Sequence, residues 1–591
     1  MVTMLHYPMA RFFDPLKPDL VLIRLKVQPN IPGQAAIWYY NQGWHRYPMY
    51  LFCAWRHSRY YQAHLRVATN RLRYFFEFIH QGKIYRLKDR SNQNQPFEIS
   101  WDPDQIFQTP DWARDAICYQ IFPERFCNGN PNNDPPGVQP WGGIPTRSNF
   151  FGGDLEGIIQ KLDYLQDLGI NCIWLNPIFA STSNHKYDTM DYLSIDPHFG
   201  NLEKFKELVD ALHQRGMRII LDAVLNHTGD EFWAFRDVVE KGQNSAYADW
   251  YYIYDYPVSK YPRPNYECWW GFPDLPKLNV KNPKVRQYLL NMIAYWTKTF
   301  YIDGWRLDVP NEIESSFWQE FRQVVKSINP NAYIVGEIWG CGRPWLHGDQ
   351  FDAVMNYLFR DAVLDLFARR HITVSTFDYR IKRMLLSYQE QANYCLLNLL
   401  GSHDTARILT VFEEEAPTAM AANASAIERL KLALIFQFTF PGIPMIYYGD
   451  EVGMKGGPDP GCRAPMVWDV NQQDLGLRSY YRHLIRIRRQ VSALRRGQYL
   501  TLTADNRRWI YAYARLTPYS QAIVALNLEP YHQSIALPLW KASFPRSDTI
   551  VDLLQGEAIK APSECVTIPL PPLGGAILAP FSQIQTPTQS I

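Results

Sequence analysis

Two textures of hydrophobic spacing divide the chain. Across residues 21–100, apolar and aromatic residues come in short runs, at 21–27, 36–40 and 74–79, separated by Asn, Gly and Pro; this predicts strands joined by turns. Beyond Asp111, apolar runs of strand length alternate with segments that carry one apolar face, the pattern of repeated βα units. Asn201 is placed to cap a helix with Phe205, Leu208, Val209 and Leu212 on one side, and Gly216 is placed to end it. Asn282 followed by Pro283 opens another, bearing Val285, Leu289, Met292, Ile293 and Trp296.

The strand-length runs beyond Asp111 are 116–122, 172–176, 218–224, 302–308, 333–337, 353–356, 394–400 and 444–448. Eight βα units predict a closed (β/α)8 barrel of the TIM type, in the α/β class. The connection after the third run, residues 227–279, is too long for an ordinary βα loop and predicts an inserted, ordered excursion beside the barrel mouth. After a helix over 477–489, alternation of period two returns near residues 509–514, 522–526 and 576–579. The predicted division is an N-terminal β-sandwich over 1–110, the barrel over 111–490 and a C-terminal antiparallel β domain over 491–591.

Composition narrows the function classes. With 47% hydrophobic residues, 20% charged residues and a net charge of +2, the chain is neither disordered nor a polycation, and nothing marks it for nucleic acid or an anionic membrane. No stretch reaches the roughly 18 apolar residues of a membrane span, and prolines and charges interrupt the first twenty residues where a secretory signal needs an apolar core. The predicted location is the cytoplasm. Nine cysteines without a C-x-x-C pair suggest neither a disulfide frame nor a zinc site, and the absence of G-x-G-x-x-G and P-loop motifs predicts no organic cofactor.

A barrel enzyme carries its reactive groups where its strands stop. The third run ends at Asp222, with Asn226 and His227 just beyond, and the fourth at Arg306 and Asp308; the fifth ends at Glu337 and the seventh is followed by His403 and Asp404. Arg306 and Asp308 are two apart on a strand and share a face, and a guanidinium beside a carboxylate favours the ionised, nucleophilic form. Glu337, followed by Ile338 and Trp339 and sharing a cavity with anionic neighbours, is suited to hold a proton as general acid. A nucleophile and an acid on adjacent strand ends are what retaining glycoside hydrolysis requires.

The ordered segments Asp222-Ala-Val-Leu-Asn-His227, Gly304-Trp-Arg-Leu-Asp308, Gly336-Glu337 and Ser402-His-Asp404 resemble the four motifs of the α-amylase family, glycoside hydrolase family 13. Leu275-Pro-Lys-Leu-Asn279 and Val309-Pro-Asn-Glu312 resemble segments of its neopullulanase, cyclomaltodextrinase and maltogenic amylase subgroup. The resemblance implies that Asp308 is the nucleophile, Glu337 the general acid/base and Asp404 the transition-state stabiliser. It further implies substrate contacts from Tyr187, Asp222, His227, Arg306, His403, Lys277, Asn311, Glu312, Trp270, Asp459 and Arg463. Pro310 departs from the usual Ala and removes a backbone donor.

The implied activity is hydrolysis of α-1,4-glucosidic bonds in maltooligosaccharides, cyclodextrins, pullulan or starch, with some glycosyl transfer. A transferase-dominant enzyme, or a non-catalytic carbohydrate-binding protein on the same scaffold, is the alternative. The N-terminal domain resembles a starch-binding-type domain, and a homodimer through it is implied. Asn128, Asn130, Asn133, Asp134, Gly152 and Asp154 cluster hard oxygen donors and resemble the subgroup's first-loop calcium site, with Asn at 130 where related sites often carry Asp.

Overall fold

The computed structural model describes residues 2–584 except 10, 90, 93, 418–424, 546–548 and 561–563. Three β-containing layers of the chain each bury a separate apolar cluster. The N-terminal region forms nine antiparallel strands between Thr3–Leu5 and Phe97–Ser100. Strand Leu20–Gln28 sends Val21, Ile23, Leu25 and Val27 into the core against Tyr61, Ala63 and Leu65 of its neighbour, the period of two that the sequence shows. Its opposite face carries Arg24, bonded to Gln62 at 3.1 Å and turned toward the barrel. Strand Trp44–Trp55 pairs with Gln34–Tyr40 through its first half and with Ser58–Arg66 through its second, which wraps the sheet into two layers.

Eight parallel strands follow: β1 (Cys118–Ile121), β2 (Cys172–Leu175), β3 (Arg218–Ala223), β4 (Gly304–Leu307), β5 (Tyr333–Gly336), β6 (Ala353–Val354), β7 (Leu397–Asn398) and β8 (Ile443–Tyr447). Each pairs with the next, β8 pairs with β1, and a parallel bridge from Met355 to Leu397 closes the ring between β6 and β7. The barrel expected from the sequence is present, with shorter strands. The run 394–400 contributes only Leu397–Asn398, because a helical turn, Glu390–Asn393, occupies the chain just before it and Tyr394 ends that turn.

The connecting helices obey their capping signals. Asn201 Oδ1 accepts from Lys204 N–H at 2.8 Å to open Leu202–Gln214, which buries Phe205, Leu208, Val209 and Leu212. The excursion after β3 is ordered: it contains helix Trp233–Lys241 and returns along β3's own exit through bridges from His227 to Lys277 and from Tyr251 to Leu278. C-terminal to helix Leu475–Gln490, six antiparallel strands and a separate pair among the described residues enclose the third core. Arg495 and Arg496, on the short helix Ser492–Arg496, pair with Asp115 and Asp111 at the entrance to the barrel and tie this region to it.

Candidate active site

The reactive residues sit at the C-terminal rim, and one guanidinium organises them. Register places Arg306 of β4 beside Asp222 of β3 and Val335 of β5, so its side chain rises between the neighbouring strand ends. It is fully buried, with Nη1 at 2.9 Å from Asp222 Oδ1 and 2.7 Å from Asp308 Oδ1, and Nη2 at 2.7 Å from Glu337 Oε2. The indole of Trp174 lies 5.2 Å beneath it. Burial opposes its charge, but the carboxylates of Asp222 and Glu337 outweigh burial and hold it cationic.

Sharing one cation among three carboxylates changes the expected electrostatics. The sequence suggests that Arg306 keeps Asp308 ionised; instead burial is the largest influence on Asp308 and pushes its carboxyl well above the usual range, with Arg306 opposing and Glu337 and Asp222 reinforcing. Burial likewise lifts Asp222 to about 6 and, with Glu337 adding to it, Asp404 to about 7. Asp222, Asp308 and Asp404 therefore titrate as interacting groups rather than one by one.

Glu337 is held by an ion pair and two hydrogen bonds. Besides Arg306, Trp339 Nε1 donates to Oε1 at 3.1 Å and the Val309 amide to Oε2 at 3.3 Å. Val309 follows Asp308 and adopts φ +43°, ψ +44°, a left-handed conformation that is an outlier for a β-branched residue and costs on the order of 1–3 kcal/mol. Pro310 then starts a 3-10 turn, Pro310–Glu312, and its carbonyl accepts from Trp318 Nε1 at 2.9 Å. The strained step is thus clamped on both sides.

Around these acids the remaining predicted residues fall into three groups. Tyr187 lies parallel to His403, rings 5.5 Å apart at 4°, and its hydroxyl touches Asp222 Oδ2 (3.0 Å) and His403 Nε2 (2.8 Å). Burial drives the His403 pKa well below its usual value, so the ring is neutral. Gln120 Nε2 donates to Nδ1 at 2.7 Å, which assigns the ring proton to Nε2, facing Tyr187 and the Asp404 carboxylate at 3.1 Å. Arg463 bridges Asp404 (3.2 Å) and Asp459 (3.1 Å) and donates to the His403 carbonyl at 2.9 Å. His227 is buried with its pKa lowered to about 3, and its Nε2 has no hydrogen-bond partner among the described residues.

On the excursion side Lys277 Nζ pairs with Glu312 Oε2 at 2.8 Å, Asn311 is open to solvent, and Trp269, Trp270 and Phe272 stack in one wall. Trp270 is 79% exposed. Asp222, expected to touch substrate, is instead sealed beneath Arg306 and Tyr187 and acts by bracing them. Gln120 and Asn176 went unrecognised in the sequence. Asn176 donates to the Tyr187 hydroxyl at 2.9 Å and accepts from Gln120 at 2.9 Å. Each is an amide in or at the end of an otherwise apolar barrel strand, and that contrast is the signal that could have found them.

Only some of the expected calcium residues come together in the structure. Asn128 Nδ2 donates to Asp134 Oδ1 at 2.7 Å, Asn128 Oδ1 is buried without a partner, and a Cβ at Gly152 would stand 2.2 Å from Asp134 Oδ1. Asp154 is committed elsewhere: it caps helix Leu155–Gln160, accepting from Gly129, Asn130 and Gly157 N–H groups at 3.1, 2.9 and 2.6 Å. Asn130 Oδ1 caps the turn Pro131–Asn133, and the Asn133 amide faces Asp154.

The sequence matches the family described as "Alpha amylase, catalytic domain" over residues 120–487. It is 44% identical to a protein named neopullulanase 2 from Thermoactinomyces vulgaris over 530 residues, 88% of each chain. It is 47% identical over 389 residues to the intracellular maltogenic amylase of Bacillus subtilis, covering 66% of this chain and 64% of that one. A solved structure named cyclomaltodextrinase superimposes with a TM-score of 0.88 at 38% identity, covering 97% of this chain and 99% of the other.

Proposed function

From the premise that the chain belongs to the α-amylase family, we propose that it is a retaining glycosidase cleaving α-1,4-glucosidic bonds of maltooligosaccharides, cyclodextrins, pullulan or starch. The observation that carries this reading is the guanidinium of Arg306, bound at 2.7 Å to both Asp308 and Glu337 on adjacent strand ends. Asp308 attacks the anomeric carbon while Glu337 protonates the departing oxygen; water, deprotonated by Glu337, then releases the covalent glycosyl intermediate. Arg306 stabilises the carboxylate form of Asp308 once substrate has displaced water, and Asp404, with Arg463 and His403 behind it, holds sugar hydroxyls. His227 Nε2 is unpartnered and available to a hydroxyl of the same sugar. Tyr187, backed by the parallel and buried ring of His403, offers that sugar an uncharged aromatic face.

Product chromatography from γ-cyclodextrin, pullulan and soluble starch, beside an Asp308→Asn control, tests the reading. Ring opening or pullulan cleavage that disappears in the control is expected. Absence of turnover on all three, with the protein folded, overturns it in favour of a binding protein. Glycosyl transfer is the second reading, favoured by the stacked Trp269, Trp270 and Phe272, which offer a sugar acceptor an aromatic wall.

Three further properties belong to the same proposal. The loop around Asn128 is a structural calcium site, with Asn128 Oδ1, Asp134 and the Gly152 segment as the donors and Asp154, Asn130 and Asn133 bracing the loop. A higher melting temperature with calcium than with EDTA is its readout. The protein is a homodimer through the N-terminal sheet, whose exposed Tyr40, Trp44 and Tyr47 support an interface and whose mass light scattering measures. It works in the cytoplasm, as the name of the Bacillus subtilis relative suggests.

A further inference from the structure

Tyr187 reaches the mouth from a loop whose anchor lies behind it. Its chain neighbour Lys186 is 1% exposed, and its Nζ stands 2.8 Å from Asp196 Oδ2, itself 1% exposed. The ammonium also lies 5.5 Å from the Phe150 ring and 5.1 Å from that of Phe199, so it is enclosed by a carboxylate and two aromatic faces. Asp196 reaches back to the same loop, accepting from Ser181 N–H at 3.0 Å, and it accepts from His198 N–H at 3.0 Å. The backbone at Lys186 is left-handed, φ +65°, a conformation that side-chain-bearing residues rarely adopt and that something must hold. On the other side of Tyr187, Asp188 is saturated locally by the hydroxyls of Ser181 and Thr182 at 2.5 and 2.6 Å.

We propose that Lys186 is a positioning residue for the glucosyl site: its buried ion pair with Asp196 fixes the left-handed turn that lays Tyr187 flat against His403. Lys186 touches neither substrate nor an acid of the site; it acts through Tyr187. The inference rests on the glycosidase reading for the meaning of the site, and on Lys186, Asp196, Phe150 and Phe199 for the mechanism.

A double-mutant cycle tests it. Lys186→Met removes the ammonium and keeps the stem, and Tyr187→Ala removes the group it is said to position. Both are read as kcat/KM on γ-cyclodextrin and as Kd for maltotriose by calorimetry in an Asp308→Asn background. Lys186→Met alone should weaken both by about tenfold, and in the Tyr187→Ala background by less than about twofold, because the positioned ring is already gone. An equal cost in both backgrounds overturns the proposal and makes Lys186 a general structural residue. If Lys186→Met alone does not fold, Lys186→Met/Asp196→Asn removes both charges together and enters the cycle in its place. Absence of turnover in the wild type sinks the hydrolytic reading, while the Kd cycle still judges the role of Lys186.

Discussion

Strand β4 has an aspartate at each end, and the two keep opposite electrostatic company. Asp303, just before the strand, accepts from Arg218 Nη1 at 2.8 Å, His213 Nε2 at 2.8 Å and Ile219 N–H at 3.0 Å. Asp352, before β6 at the same end of the barrel, is treated alike, with Arg322 and Lys326 each at 2.8 Å and the Ile334 N–H at 2.9 Å. Each carboxylate there has two basic side chains and a backbone N–H to itself. At the other end, among the described residues, Arg306 is the one cation paired with Asp222, Asp308 and Glu337, and Asp404 leans on Arg463. A barrel can therefore concentrate its charge compensation at the face that only has to hold together. The opposite face, where chemistry occurs, is left short of cations, and Asp222, Asp308 and Asp404 bind protons more tightly there than in water.

Asp308→Asn probes the reactive end most severely: kcat/KM should fall by about 10⁴-fold or more, while circular dichroism and melting temperature stay native or improve. Asp303→Asn should do the reverse, costing about 3 kcal/mol in denaturant unfolding because it unbalances a buried charge cluster, with kcat/KM held within about threefold. If both variants lose stability equally, the contrast between the two ends is wrong.

Asp404→Asn sharpens the comparison through pH. The Asp404 carboxyl stands at about 7 in the folded protein against 3.8 for its ordinary value, so the folded state binds the extra proton between those limits. Its contribution is harmless below pH 4, grows unfavourable as pH rises from 4 to 7, and is constant above. Asn removes that penalty, which the solvent reaching Asp404 keeps small: the melting temperature should rise by about 1–2 °C at pH 8, with no gain at pH 4. A gain independent of pH would point to packing instead. The smallest effect is expected at Trp270→Ala, where high exposure limits the stability change to about 0.5 kcal/mol. The ratio of transfer to hydrolysis products at high substrate should still fall severalfold.

The sequence announces the reactive end more clearly than the stabilising one. Asp308, Glu337 and Asp404 are polar residues at the ends of apolar runs, and that contrast survives without coordinates. Gln120 and Asn176 are just as polar, but their role depends on which ring across the barrel they meet, and the distance from Gln120 to His403 is 283 residues along the chain. Helix Leu202–Gln214 was legible because a cap, an apolar face and a terminating glycine agree. Strand β7 was not, because seven apolar and polar residues in a row do not say that the first belongs to a helical turn. Spacing likewise reveals Arg306 as the neighbour of Asp308 but not that Asp222 and Glu337 claim the same guanidinium. Asp154 shows the same limit, since an aspartate before a helix reads equally as a metal donor or as a cap.

Trp339 stacks on Tyr357 with ring centroids 3.9 Å apart, is half exposed at the rim, and donates its indole N–H to Glu337. Indole emission responds to a carboxyl group in direct contact and to the loss of water from one face. The protein thus carries a fluorophore wired to its acid, and a difference spectrum against Trp339→Phe would isolate it from the other tryptophans. Stopped-flow emission could then time the arrival of an unlabelled sugar and the passage of the proton, with no dye or chromogenic leaving group in the way.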